Sequence, residues 1–402
     1  MRELMNVLNS YQINLYEELL ELTNTNEAFF YKDAVKDDIL YRVFSYRLAA
    51  YSDFLLPSAL ECRGIMYEIS DDGAPIRLAA LPMGKFFNKS ENPITMNLDF
   101  HNAKQIMYKL DGSLISTYTH NGILCFKSKT ALESDHAKGA AQYILGEYLT
   151  PPDGVSLYNE LQVLNDAGYT VNFEFTSPNY PFRIVIGYQE TKLTILNIRS
   201  RVDGTYITLK EAEYALNAFY ENHDKRFISS HWVDTVSVKN EEMDDFITDI
   251  DNMSGIEGFV IQLQDGMLVK LKTNWYRALH HVKDSINSMR RLFEAVLEET
   301  TDDLRAMLCN DEFALLRITE METKVTHIYN SIVKNVEDFY NTNKHLDRKD
   351  YAVTGQAELT HIEFGLAMNM YVGKVVDYKS TIKKNYKLFG ITDDAPVIIE
   401  DE

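Results

Sequence analysis

The hydrophobic period of this chain changes once, and that change sets what it can fold into. Up to Lys272, apolar and polar residues alternate in short runs: RGIMYEI (63–69), IRLAALPM (76–83), QIMYK (105–109), SLISTYT (113–119), GILCFKS (122–128), TVNFEFT (170–176), RIVIGY (183–188), TKLTILNI (191–198), GFVIQL (258–263) and MLVKLK (267–272). A period of two, broken by Gly, Pro and Asn turns, predicts half-buried antiparallel strands. Helices are expected over 1–23, 130–148 and 154–167. After Lys272 the apolar spacing becomes three and four, first at Leu279, Val282, Ile286, Met289, Phe293 and Val296, then at Met321, Val325, Ile328, Ile332, Val336 and Phe339. That is the stripe of amphipathic helices, and a third helical stretch covers 355–388. The chain is therefore read as α+β, with a domain of antiparallel sheets over 1–276 and an all-α domain over 277–402.

Cysteine and charge narrow the function classes. Cys62, Cys125 and Cys309 are odd in number and lack C-x-x-C spacing, which indicates neither a disulfide framework nor a zinc site and suits a reducing cytoplasm. No run approaches the roughly 18 apolar residues of a membrane span, so no membrane partner is expected. The N-terminus MRELMNVLNSYQ has polar residues where a signal peptide needs an apolar core. A formal charge of −20 argues against indiscriminate polyanion binding, yet leaves room for a local basic groove that prefers one nucleic-acid shape.

The segment KLDGSL (109–114) has two readings. Asp-Gly between alternating apolar runs is a strong hairpin signal. The other reading is a lysine nucleophile at a strand end, and the rest of the chain supplies company for it. In order come ECRGIMYEI (61–69), KFFN (85–88), KLDGSL, FKSK (126–129), NFEF (172–175), EGFV (257–260) and VKLK (269–272). Taken singly, Lys270 and Lys272 are a solvated strand face, Glu174 is the outward residue between Phe173 and Phe175, and Arg63 is a strand-start cation. Together they provide one potential nucleophile, two strand-borne carboxylates, and cations at Arg63, Lys85, Lys129, Lys270 and Lys272. Nucleotidyl transfer to lysine needs this set. The amine must lose its proton, which neighbouring cations, a divalent metal and desolvation favour. Positive charge must also meet the α-phosphate and the departing pyrophosphate. Alternation in V-K-L-K puts Lys270 and Lys272 on one face, with Val269 and Leu271 toward a core.

The ordered series resembles the covalent nucleotidyltransferase superfamily of ATP-dependent ligases and capping enzymes, and within it the RNA ligase 1 family of T-even bacteriophages. FSYRLAAYSDFLLPSALECRGIMYEI, PMGKFFNKSENPITMN, VKLKTNWY and TDDLRAM extend the likeness over 40–310, and it continues more weakly beyond. It implies an ATP-dependent RNA ligase in which Lys109 becomes linked to AMP. Tyr46, Arg63, Lys85, Phe87, Gly112 and Lys129 would contact ATP. Glu174 and Glu257 would be motif carboxylates, Lys270 and Lys272 the motif lysines, and Tyr276 a further catalytic position. Glu174, Glu257, Asp302 and Asp303 would hold magnesium, or manganese in its place. The likeness further implies an RNA partner, above all nicked tRNA, a kinase-phosphatase acting upstream, and the cytoplasm of a phage host. The basic clusters HHVK (280–283), Arg290, Arg291 and KKNYK (383–387) are candidates to meet RNA. Residues 146–168 and the acidic tail fall outside the likeness. Two alternatives stand beside it: a catalytically silent nucleic-acid-binding protein of the same fold, and a DNA ligase or capping enzyme. The latter carry a β-barrel after the motif lysines, where this chain reads as helical.

Overall fold

The computed structural model describes residues 8–149, 157–178, 184–219, 227–308 and 311–392. The chain divides after Arg277 into two compact units. The first opens with helix α1 (Ser10–Thr25), started by a capping box in which Asn9 and Gln12 satisfy each other's backbone N–H groups. Strands β1 (Phe29–Lys36), β2 (Ile39–Tyr46), β3 (Met66–Ile69) and β4 (Pro75–Ala80) form an antiparallel sheet in sequential order. Leu15, Leu19 and Leu22 of α1 join Phe29, Phe44 and Tyr67 in its core. The β1–β2 hairpin is absent from the sequence expectations because its turn contains no glycine. Asp37 and Asp38 fill both left-handed positions, at φ 44° and 65°, which short carboxylate side chains tolerate.

Strands β5 (Phe87–Asn88), β6 (Ala103–Lys109), β7 (Ser113–His120), β8 (Ile123–Lys127), β9 (Tyr169–Thr176), β10 (Lys192–Ser200), β11 (Tyr206–Ile207), β12 (Gly258–Leu263) and β13 (Leu268–Lys272) make two more sheets. One is ordered β11-β10-β9-β7-β8 and the other β5-β13-β12-β6, with β5 parallel to β13. Helices α2 (Asp135–Leu149), α3 (Leu157–Asp166), α4 (Leu209–Asn217) and α5 (Phe227–Ser230) supply Ala140, Ile144, Leu161, Leu216 and Ile228 to a core shared with Ile115, Val171, Phe173 and Ile195. Helix α6 (Met243–Asp249) brings Met243 and Ile247 against Ile106, Phe259 and Ile261 of the other sheet.

Two sequence expectations change here. The Asp-Gly of KLDGSL closes no hairpin: β6 and β7 belong to different sheets, so residues 110–112 carry the chain from one to the other. The hairpin turn is Asn121-Gly122, at φ 50° and 78°, between β7 and β8. Nor is RIVIGY a strand over its described part, 184–188, with Arg183 outside the described residues. The N–H groups of Val185 and Ile186, which a ladder would have used, donate to the buried Asp111 carboxylate, both at 2.6 Å.

The second unit is helical. Helix α7 (Asn274–Asn287) crosses the boundary and is followed by α8 (Met289–Leu297), α9 (Thr301–Met307), α10 (Glu312–Asn343), α11 (Arg348–Glu358), α12 (His361–Tyr371) and α13 (Tyr378–Lys384). The apolar run from Leu279 to Val296 is split at Ser288, whose side chain caps α8. The stretch 355–388 is likewise cut by the Thr360–Glu363 capping box and by the Asp377 cap. Leu292, Phe293, Ile318, Val336, Tyr351, Leu366 and Ile382 share one core. Among the described residues, no helix is long and apolar enough to cross a membrane.

Candidate active site

One rung of the β6-β12-β13 ladder organises the site. Gly258 at the start of β12 pairs with Lys109, the last residue of β6, on one side and with Lys272, the last of β13, on the other. A Cβ at Gly258 would stand 1.9 Å from the carbonyl oxygen of Leu271, so this close approach requires glycine. The preceding residue, Glu257, is buried, and its Oε1 lies 2.7 Å from Lys109 Nζ and 3.3 Å from Lys272 Nζ. Strand pairing thus delivers two ammonium groups to one carboxylate oxygen.

Lys270 precedes Lys272 by two residues on the same strand, and it is not the solvated residue that alternation alone allows: only 6% of its surface is exposed. Burial first, then the charges of Lys109, Arg63, Lys85 and Lys272, push its pKa well below the usual lysine range. Phe86, absent from the sequence candidates, sits beside it, with Lys270 Nζ 5.0 Å and the Arg63 guanidinium carbon 5.8 Å from its ring centre. Phe87 packs into the core edge-on to Phe54, their ring centres 5.5 Å apart, and Lys85 Nζ lies 5.6 Å from its ring. Lys85 and Lys129 also share Tyr46, at 5.4 and 4.5 Å from its ring centre.

Arg63 is buried, yet its Nε and Nη1 have no hydrogen-bond partner among the described residues. Leaving such charged donors unmatched is costly unless an anion completes them. The turn that carries Arg63 is held from below by Lys127, a residue sequence reasoning passed over. Fully buried, Lys127 donates to the carbonyls of Gly64 at 2.8 Å, Ser128 at 2.7 Å and Lys129 at 3.3 Å. Gly64 approaches so closely, at φ 89°, that a Cβ would stand 2.3 Å from the Lys129 carbonyl oxygen. The signal was present in FKSK, where Lys127 alternates with Phe126 on a buried strand.

The passage after Lys109 is fixed by two carboxylates. Gly112 N–H donates to Glu174 Oε1 at 3.0 Å, and a Cβ on Gly112 would stand 2.4 Å from the carbonyl oxygen of Phe175. Asp111, overlooked within K-x-D-G, is buried and accepts the Tyr276 hydroxyl on Oδ1 at 2.6 Å while Oδ2 takes the two N–H groups of 185–186. Its own N–H donates to the Tyr188 hydroxyl at 2.8 Å. Lys109, Glu257, Lys270, Lys272, Arg63 and Lys85 therefore share one electrostatic neighbourhood, with Tyr46, Phe87 and Lys129 around Lys85, and with Gly112, Glu174 and Tyr276 bracing the Lys109 passage.

Asp302 and Asp303 belong to α9 in the helical unit. Asp302 is exposed, and the side chain of Asp303 lies outside the described residues, as do those of 281–283 in HHVK. Among the described residues no three His, Cys, Asp or Glu side chains group as a metal site. The donor set fits a hard cation only through one or two carboxylates, with water and phosphate oxygens completing its shell. The arrangement is a primary amine against a carboxylate that can take its proton, ringed by cations and unmatched guanidinium donors. Such a set of groups can hold a polyphosphate beside a nucleophilic amine. The sequence expectation gave the deprotonation of Lys109 to cations, a divalent metal and desolvation; the structure shows its ammonium paired with the Glu257 carboxylate.

Two family models match the chain: one for RNA ligase over residues 61–276, and one for the C-terminal domain of T4 RNA ligase 1 over 283–393. Among solved structures, the RNA ligase of Naegleria gruberi with pyrophosphate aligns at 16% identity and a TM-score of 0.32, covering 45% of this chain and 53% of that one. A single-residue variant of the same ligase, with ATP and manganese, aligns at 14% identity and a TM-score of 0.32, over 45% and 52%. An archaeal ATP-dependent RNA ligase aligns at 11% identity and a TM-score of 0.40, over 79% and 78%. This chain thus spans about half the length of the Naegleria ligase it matches.

Proposed function

We propose that this chain, which belongs to the T4 RNA ligase 1 family, is an ATP-dependent RNA ligase that repairs broken tRNA. Lys109 Nζ attacks the α-phosphorus of ATP, forming a phosphorus–nitrogen bond as pyrophosphate leaves. The AMP passes to the 5′-phosphate of an RNA end, and the RNA 3′-OH then displaces AMP to close the phosphodiester. Glu257 pairs with the Lys109 ammonium at 2.7 Å, and that proton leaves before the amine attacks. Arg63, Lys85 and Lys129 take the β- and γ-phosphates, with Tyr46 and Phe87 shaping that end. Lys270 and Lys272 meet the α-phosphate, while Gly112 and Glu174 hold the nucleoside end, and Tyr276 fixes the passage through Asp111. A magnesium or manganese ion would be held by Glu174 and Glu257, and supplies charge neutralisation at the phosphate oxygens. The likeness to the RNA ligase 1 family also assigns metal binding to Asp302 and Asp303. The observation that carries this reading is the pairing of the Lys109–Glu257 contact with the unmatched donors of buried Arg63.

The tRNA substrate is the finer part of the proposal. An acidic chain gains by selecting RNA on shape, and the helical unit matches the C-terminal domain of T4 RNA ligase 1. The basic runs there are less free than their sequence suggests. Lys383 lies 2.5 Å from Glu298 and 3.6 Å from Glu294, and Arg290 lies 3.0 Å from Glu294. Arg291 and Lys384 are exposed without such a partner among the described residues. A kinase-phosphatase that leaves 5′-phosphate and 3′-OH ends is the partner this chemistry calls for. The test is sealing of a tRNA cut in its anticodon loop against sealing of a short unstructured RNA. The proposal expects the tRNA to be preferred, and expects Arg291→Ala with Lys384→Ala to narrow that preference. Equal sealing of both RNAs by the unchanged protein would remove the tRNA assignment.

A further inference from the structure

Outside the nucleotide site, the free edge of the first sheet carries a group of side chains that no role above absorbs. Strand β1 is an edge strand. Phe30 on it is half-exposed, with Lys32 Nζ 5.8 Å and the Arg47 guanidinium carbon 5.4 Å from its ring centre. Arg47 is held in register, its N–H donating to the Ala28 carbonyl at 2.7 Å, one step beyond the Phe29–Tyr46 pair. The neighbouring cations of the sheet are neutralised: Arg42 by Asp33, Arg77 by Glu68 and Lys36 by Glu133. Lys32 and Arg47 are exposed and form no ion pair among the described residues. Next to them Leu48 is 96% exposed at φ 51°, and Tyr51 is 42% exposed. The left-handed backbone at Leu48 is an uncommon conformation for a branched side chain.

We propose that this edge binds the single-stranded RNA segment that carries the 5′-phosphate, with a base stacked on Phe30 and flanking phosphates on Lys32 and Arg47. The inference rests on the ligase reading above. Alternating cation and aromatic side chains are what a base and its phosphates require. In-line displacement chooses the RNA end. When Lys109 attacks ATP, pyrophosphate leaves from the side opposite the amine. In the next step a 5′-phosphate oxygen bonds to the same phosphorus while the phosphorus–nitrogen bond breaks; its electron pair stays on Nζ, which takes a proton from water, and the lysine departs as its amine. That oxygen must therefore enter where pyrophosphate left, on the side of Arg63, Lys85 and Tyr46. Tyr46 pairs with Phe29, and Phe30 and Lys32 face the other side of the sheet with Ser45 and Val43, so an incoming 5′ strand that reaches the phosphorus by this route meets the patch by crossing the β1 edge beside the Phe29–Tyr46 pair.

The experiment uses the full chain and a short 5′-phosphorylated single-stranded RNA with a blocked 3′ end. Lys32→Ala with Arg47→Ala, and separately Phe30→Ala, should label with ATP as the unchanged protein does. Each should raise the RNA concentration for half-maximal AMP transfer about tenfold, and the double variant should flatten the salt dependence by about 1.4 in log–log slope. Unchanged half-saturation and slope would overturn the proposal. In parallel, the unchanged protein is photocrosslinked to the same RNA bearing a 4-thiouridine beside the 5′-phosphate. Crosslinks within 28–51 support the site even if a variant fails to fold, and crosslinks confined elsewhere reject it. Loss of ATP labelling in the unchanged protein would instead sink the ligase reading, while the crosslink still reports on the patch.

Discussion

Lys270 shows how a residue's environment decides between two readings that its sequence leaves level. Alternation in VKLK is equally compatible with a solvated lysine and a pocket lysine. The deciding facts, burial and four neighbouring cations, come from strands and turns distant in sequence. A lysine with a depressed pKa is a stability cost at neutral pH. Between its folded value and the usual 10.5, the unfolded chain holds a proton that the fold does not, so stability rises with pH across that window. Replacing Lys270 with Met should remove that slope and raise stability at neutral pH by about 1–3 kcal/mol, while abolishing labelling by ATP. Denaturant titrations at two pH values check it. A destabilised Lys270→Met protein with an unchanged pH slope would contradict the account. Asp111 and Lys127 are the reverse case, since both stand inside quoted motifs but their roles depend on backbone groups that no spacing rule connects to them.

At the scale of elements, the passage between β6 and β7 is the critical piece. It was legible as a turn signal but not as a crossing between sheets, because Asp-Gly is compatible with both and only the pairing of β12 with β6 and of β9 with β7 separates them. The same pairing turns RIVIGY from an expected strand into a loop tied to Asp111. In Asp111→Asn, one side of the carboxamide can no longer accept what the carboxylate accepts: either the Tyr276 hydroxyl or the pair of N–H groups at 185–186 loses its acceptor. The expected cost is about 1–3 kcal/mol, together with a loss of ATP labelling. Tyr276→Phe removes only the hydroxyl contact and should cost less. A double-mutant cycle on thermal unfolding reads the coupling. Strict additivity would show that the two side chains do not act through their 2.6 Å contact.

For the whole molecule, the change of period at Lys272 located the change of architecture, and three- and four-residue spacing identified the helical core. The breaks at Ser288, Thr360 and Asp377 are invisible to that spacing because a cap interrupts a helix without interrupting its apolar stripe. The helical unit's core runs from Ile286 to Ile391, so a chain ended near residue 310 strips Leu292, Phe293 and Leu297 of their partners on α10 and α13. Such a truncation should aggregate, or melt well below the full chain by scanning calorimetry, and a truncated protein as stable as the intact one would refute this packing. The central claim is that Lys109 accepts AMP. Its most direct measurement is incubation with labelled ATP and magnesium, digestion, and mass spectrometry of the labelled peptide. The account predicts one AMP on Lys109, and a Lys109→Ala protein that takes up none yet still seals a pre-adenylated RNA. AMP on Lys270 or Lys272, or undiminished labelling of Lys109→Ala, would contradict it.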